Sequence, residues 1–442
     1  MPKIAALIKT NGDTRFLSLA SDVFYSGARK GYWMPRLIIA VLGLVMLTAS
    51  MHASDDVINA SSRGEYWKYL REKKASEPVA PHKAGKLERG LLEIKDRRIL
   101  ERFQSGVFGF HPLIGGLATG AGFALGTEYR HSFADNRIET SARAQGSLQG
   151  YKRFEFNVAS HSLANGKLSL AFNARQSYSP QEDFFGIGKD SSASNRTNYT
   201  YNSRDLQASA AFRPTRWLEA GTMAGTLDTR TKAGTDPRFP STETVFDETA
   251  VPGLLAHPDY AYAGVFARSD TRDEPGNPRE GHKVQVDWRN YRDRNSSGYS
   301  FNHFGAEAQQ YIPFFNKRRV IALRAKTSLS QTADGNVVPF FLQPSLGGSE
   351  DLRGFREFRF RDRNMMVMNA EYRWEAFSGL DVALFTDAGK VFGSSREFNF
   401  RDLEKSYGFG FRFNTAKSVF LRIDTAYGNE GTRLFVKFGH VF

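Results

Sequence analysis

Hydrophobic and polar positions alternate along the last nine residues of the chain. Leu434, Val436, Phe438 and Phe442 fall on one face, with His440 as its one polar member. Arg433, Phe435, Lys437, Gly439 and Val441 fall on the other. A period of two marks a β-strand with unlike faces. The same period recurs upstream. Ile321, Leu323, Ala325, Thr327 and Leu329 oppose Ala322, Arg324, Lys326 and Ser328. Val284, Val286 and Trp288 oppose Lys283, Gln285 and Asp287, and Leu206, Ala208, Ala210 and Phe212 oppose Asp205, Gln207 and Ser209. Val419, Leu421, Ile423 and Thr425 oppose Phe420, Arg422 and Asp424. A soluble sandwich would turn the apolar face inward onto a dry core. Here the polar faces collect Arg, Lys and Asp, as a water-filled lumen requires when the apolar face meets lipid. Residues 106–442 are therefore predicted to form an all-β, transmembrane antiparallel β-barrel.

Turn signals divide the strands. Asn165-Gly166 and Ala134-Asp135-Asn136 are tight hairpin signals. Polar stretches over about 178–200, 230–258 and 332–364 read as long loops. About five strands follow the last stretch and about ten or eleven precede it, giving about 16, an even number as bacterial barrels prefer. A strand ending on an aromatic residue at the very C-terminus is how outer-membrane barrels usually finish. If that end is periplasmic, strand parity puts the three long stretches outside and Asn165-Gly166 on the periplasmic side.

The N-terminus reads as an export signal. Arg29, Lys30 and Arg36 precede the apolar run Leu37 to Ala49, and the small residues Ser50 and Ala53 follow. That run is too short to span a bilayer as a helix, which takes about 20 residues. Residues 1–53 are assigned as a signal peptide cleaved after Ala53, with Met34 as an alternative start that leaves Met-Pro-Arg as a compact positive region. Residues 54–105 are dense in charge and are broken by Pro78, Pro81 and Gly85. Leu87, Leu91 and Ile94, with Leu92, Ile99 and Phe103, recur at helical spacing, so a short amphipathic helix is expected. It could lie on the membrane, plug the barrel mouth or hang in the periplasm.

Composition is compatible with this reading. Mean hydropathy is −0.45, which excludes a bundle of membrane helices but not a barrel, where only alternate residues face lipid. No cysteine is present, so ladder closure rather than disulfides must hold an exported fold. The net charge is +13. Export argues against nucleic acid as the counterpart. Anionic lipopolysaccharide in the surrounding outer-membrane lipid, and a lumen lined with arginine, are the expected sinks for this charge.

The loop over 332–364 carries Gly347-Gly348-Ser349-Glu350-Asp351-Leu352-Arg353-Gly354-Phe355. It resembles the Arg-Gly-Phe/Tyr loop of the bacterial surface antigen superfamily, the BamA/TamA type of outer-membrane assembly and secretion barrels. Two strands later, Phe385-Thr386-Asp387-Ala388-Gly389 resembles that family's Phe-x-Asp-x-Gly strand. Asn369-Ala370-Glu371-Tyr372-Arg373 resembles its acidic strand. Asp270-Thr-Arg-Asp273 with Pro275, Pro278 and Gly281 resembles its periplasmic turn, and Glu182-Asp183-Phe184-Phe185-Gly186-Ile187-Gly188 also fits. The resemblance covers roughly 106–442.

Period two alone places Glu371 with Asn369 and Arg373, and Asp387 with Asp381 and Phe385, on the polar faces of their strands. Two carboxylates in a narrow lumen call for a cation, and arginine offers a planar fork. The resemblance implies that Arg353 folds back into the barrel to meet Glu371 and Asp387, supported by Gly354, Phe355, Phe385 and Gly389. It implies further that the barrel inserts or translocates unfolded barrel or secreted client proteins through a weakly paired seam. Family members receive clients through POTRA domains, whereas the fifty-odd residues before this barrel read as helix and linker. The alternative is a passive pore or structural surface antigen plugged by the Arg-Gly-Phe loop.

Catalysis finds little support. Gly347-Gly348-Ser349-Glu350-Asp351 lacks the closing glycine of a nucleophile elbow. The nine histidines are scattered without H-E-x-x-H, and no phosphate loop or dinucleotide fingerprint occurs. Asp270 to Asp273 lacks EF-hand spacing. The chain is expected not to be an enzyme and to need no cofactor. A Ser/His pair assembled from distant strands would leave no signature of this kind.

Overall fold

The computed structural model describes residues 108–442 apart from 116, 118, 119, 416, 417, 440 and 441. The predicted leader, the 54–105 linker and His440 lie outside the described residues. The strands are β1 (Phe110–Ile114), β2 (Ala124–Phe133), β3 (Ile138–Ser147), β4 (Lys152–Leu163), β5 (Leu168–Phe184) and β6 (Thr197–Thr215). They continue with β7 (Leu218–Ala233), β8 (Asp259–Asp270), β9 (Gly281–Asp293), β10 (Phe301–Phe314) and β11 (Arg319–Gln331). The short β12 (Ser345–Leu346) and β13 (Phe360–Arg361) pair with each other inside the long loop. The barrel wall resumes with β14 (Asn364–Phe377), β15 (Leu380–Phe392), β16 (Glu404–Asn414), β17 (Val419–Gly428) and β18 (Gly431–Phe438).

Sixteen of these strands form one antiparallel sheet in strict sequence order, β11 passing to β14. Antiparallel neighbours need only short connections, so alternation along the chain becomes alternation across the wall. Phe154, Phe156, Leu170, Phe172, Val284, Val286, Trp288, Leu434 and Val436 are exposed on the outer face. Glu128, Asn369, Glu371, Arg373, Asp387, Arg412, Arg422 and Asp424 are buried on the inner one. Among the described residues no ladder bond joins β1 to β18. The two ends meet through side chains: the Phe438 ring abuts Gly115, and its centroid lies 6.1 Å from that of Phe123.

Three stretches differ from the sequence expectation. Residues 178–184 and 197–200 are strand, and 230–233 complete β7, so only 185–196 and 234–258 connect. β5, β6 and β7 run to 17, 19 and 16 residues, where about 9–11 suffice to cross a bilayer. The excess rises past the start of β4, whose Lys152 pairs with Tyr178. It is held by an apolar cluster of Phe184, Tyr199, Val251, Leu254, Phe340 and Phe341, drawn from two loops and two strands. Polar residues on those strand ends resembled a loop because the burial came from distant segments.

The second difference is at the C-terminus. Leu434, Val436 and Phe438 share the outer face as expected, but Phe442 does not join them. It is buried with Tyr311, Val320 and Ala322. Gly439, at φ +90°, turns the chain inward. The Tyr311 hydroxyl donates to the Phe442 carbonyl at 2.7 Å, and the guanidinium groups of Arg373 and Arg324 lie 5.6 and 5.7 Å from the ring centroid. Phe442→Ala is expected to lower barrel stability by about 2 kcal/mol, the worth of one buried ring. Thermal unfolding in detergent reads it, and a lipid-facing Phe442 would leave the midpoint unchanged.

The turn over 271–280 folds tightly at the same end of the barrel as Asn165-Gly166. Asp273 accepts backbone N–H bonds from Glu274, Arg279 and Glu280 at 3.0, 3.0 and 3.2 Å. Arg279 then reaches both carboxylate oxygens of Asp381 at 3.0 Å. The Val419 N–H donates to the Gly276 carbonyl at 3.1 Å. This turn therefore braces the base of β15 and β17.

Candidate functional site

The loop between β11 and β14 doubles back into the lumen, and Arg353 is completely buried there. Its Nε and Nη2 donate to the two oxygens of Asp387 at 2.9 and 2.6 Å, and its backbone N–H adds a third bond at 3.1 Å. Its Nη1 donates to Glu371 Oε1 at 2.5 Å. The guanidinium lies 3.5 Å from the Phe385 ring centroid, so that ring supports its face while the two carboxylates take its edges. Register explains the meeting. Glu371 stands opposite Phe385, and Asn369 opposite Asp387, on the paired strands β14 and β15.

Further side chains complete the network. Asn369 Nδ2 donates to Asp387 at 2.8 Å and to the Asp351 carbonyl at 2.7 Å, tying the wall to the loop. Ser406 donates to Asp387 at 3.1 Å. Arg412 binds Glu371 at 3.1 Å and pairs with Asp424, while Arg373 holds the other oxygen of Glu371 at 2.8 Å. Removing one partner from such a buried set leaves uncompensated charge, which costs about 3–5 kcal/mol.

Close approach makes glycine necessary at two positions. A Cβ on Gly354 would lie 2.9 Å from Gly428 Cα and N and 2.6 Å from Ser406 Cβ, so the loop lies directly on β16 and β17. A Cβ on Gly410 would lie 2.0 Å from Asp424 Oδ1 and 2.5 Å from Arg412 Nη1, inside the ion pair itself. Phe355 enters a separate dry cluster with Leu346, Leu352, Phe360, Met365, Val367 and Val391. Gly389 lets this cluster close, since a Cβ there would press on Val367 and Leu346 at 3.1 and 3.2 Å.

Of the seven lumen residues singled out in the sequence, Arg353, Glu371, Phe385 and Asp387 thus meet directly, Gly354 lies beside them on β16 and β17, and Phe355 and Gly389 belong to the adjoining apolar cluster. Arg412, Asp424, Ser406, Gly410 and Gly428 were not singled out. The signal available for them was the run Tyr407-Gly408-Phe409-Gly410-Phe411-Arg412, where glycine takes alternate inner positions ahead of an arginine.

The loop also reaches the last strand. Glu357 pairs with Lys437 of β18 at 3.2 Å, and Arg359 pairs with Glu430 of the β17–β18 hairpin at 2.5 Å. The opposite half of the wall differs in character. Glu128, Arg143, Glu155, Arg175 and Asp205 stand in one register row across β2 to β6 and alternate in sign. The Arg143 and Arg175 side chains are 38% and 45% exposed, against 0% for Arg353. One side of the lumen is dry and locked by the loop; the other is wet.

A lipid-belted barrel with an arginine loop locked inside it defines a class of bacterial outer-membrane proteins. The chain belongs to the Omp85 superfamily, whose domain matches residues 116–439. The barrel of BamA from Haemophilus ducreyi, solved lacking POTRA domains 1–3, is similar at TM-score 0.56 and 13% identity, covering 75% of this chain and 69% of that one. CdiB from Escherichia coli is similar at TM-score 0.52 and 10% identity, covering 76% of this chain and 63% of that one. This chain thus spans less than two thirds of the CdiB structure. At these identities the likeness is one of fold. No curated protein sequence matches this chain.

Proposed function

We propose that this protein inserts or translocates other proteins at the outer membrane. The observation that carries the reading is the seam. The first and last strands share no ladder bond among the described residues, while an internal loop grips β14 to β18 beside them. An unpaired strand edge can template an incoming strand by β-augmentation. The loop keeps one flank of that edge rigid, so opening would not collapse the wall. Clients would be unfolded barrel or secreted proteins, set in outer-membrane lipid and lipopolysaccharide; nucleic acid has no place in this scheme. The test reconstitutes the protein in liposomes and follows insertion of an unfolded barrel client by protease protection. Faster insertion than in protein-free liposomes is expected, and equal rates would overturn the reading.

A second reading rests on the other half of the lumen, where Arg143 and Arg175 of the alternating row are open to water. On that reading the barrel is a passive pore or surface antigen partly plugged by the loop. Single-channel conductance is then expected in the native protein and should increase in Arg353→Ala. A barrel silent in both forms would remove it.

A further inference from the structure

Two rows of polar side chains interrupt the apolar outer face of β4, β5 and β6 at its extracellular end. Lys152, Tyr178, Asn202 and Arg230 stand in register on successive strands, and Phe154, Gln176, Arg204 and Asp228 form the row beneath. The next row, Phe156, Ala174, Leu206 and Thr226, returns to mostly apolar character. Period two puts these residues on the lipid side with the exposed Phe154, Phe156 and Leu206. Arg230 is already bound by Asp259 at 2.6 Å. Lys152 and Arg204 are exposed, and among the described residues neither has a carboxylate within ion-pair distance.

The surface here is hollowed. A recess of about 250 Å³ is lined by Lys152, Phe154, Gln176, Tyr178 and Asn202. Beside it a larger hollow of about 580 Å³ is lined by Ala142, Ala144 and Ala174 together with Phe154, Phe156 and Arg204. At this end of the outer face the two cations meet the headgroup layer, where charge complementarity favours an anion. Lys152 and Arg204 sit two strands and one row apart, roughly 12 Å, within reach of one phosphate for two long side chains. Gln176, Tyr178 and Asn202 offer neutral donors beside it. The three alanines leave room for a hydrocarbon chain that larger side chains would fill.

We propose that this slot binds one phosphorylated, acylated glycolipid of the outer leaflet. Its phosphate lies between Lys152 and Arg204, and an acyl chain lies along Ala142, Ala144 and Ala174. The proposal rests on the outer-membrane placement of the barrel but not on its client activity. The full-length protein in neutral detergent micelles is offered diphosphorylated lipid A, lipid A stripped of its phosphates, or phosphatidylglycerol. Retained lipid is counted by native mass spectrometry. At least tenfold greater retention of the phosphorylated lipid A than of either other lipid is expected. The double change Lys152→Gln and Arg204→Gln should reduce it to the stripped level, while Lys405→Gln, on the outer face of β16, should not. Equal retention of the two lipid A forms, an unchanged double variant, or equal retention of phosphatidylglycerol overturns the proposal. Heat-modifiable gel mobility scores barrel integrity in every sample, so loss of the lipid from an intact barrel is distinct from failure of the barrel itself.

Discussion

Arg353→Ala is expected to destabilise the barrel by about 3–5 kcal/mol, the cost of stripping the cation from a buried ionic network. The change leaves Asp387 without two side-chain donors and Glu371 without one. Asn369, Ser406, Arg412 and Arg373 still touch those carboxylates, so the barrel should fold but lose resistance to heat on a semi-native gel. The backbone N–H of residue 353 can still donate, which keeps the effect below complete loss of the loop. Arg353→Lys should recover only part of the difference, because a point charge cannot span both carboxylates as the fork does. In a double-mutant cycle with Asp387→Ala, a coupling above about 1 kcal/mol is expected for groups in direct contact. Additive effects, or unchanged heat resistance in Arg353→Ala, would show that the buried contact does not hold the loop.

Gly410→Val should be comparably damaging, at about 3–5 kcal/mol, although it removes no charge. The added atoms would occupy the space between Asp424 and Arg412, and the Ile423 carbonyl 2.8 Å away blocks retreat toward β17. The pair must separate inside a dry wall, where each charge then lacks its closest partner. By contrast, Gly166→Ala changes a tight turn where a Cβ meets nothing within 4 Å. Its penalty comes only from the left-handed φ of +81° and should stay near 1 kcal/mol. Urea unfolding of the two variants in parallel separates a packing effect from a general intolerance of glycine replacement. Equal midpoints would refute the assigned role of Gly410.

The barrel and the inner facing of Glu371 and Asp387 were legible in the sequence because both follow from a period of two, which is a local property. The position of Arg353 was not local. Only the resemblance of its loop to a known motif brought it inside, since nothing in the loop's composition forces it into the lumen. Arg412 and Asp424 escaped notice because charged residues on a lumen face are expected everywhere, and only register shows which of them touch. Phe442 was misplaced for a different reason. Alternation continues on paper through Gly439, but the glycine adopts a backbone that ends the strand, and the attraction comes from Tyr311, 131 residues upstream. The outer ends of β5 to β7 were read as loops because their partners lie in two separate loops.

The two flanks of the seam are unequally fastened. β18 has eight ladder partners on β17 and is tied to the loop through Lys437, with Glu430 bound at its hairpin. β1 has five ladder partners on β2, and the wall behind it is held by pairs of Glu128 with two arginines that stay exposed. Any parting of the cylinder should therefore be asymmetric, the short opening strand swinging outward like a door leaf while the closing strand stays fixed as its jamb.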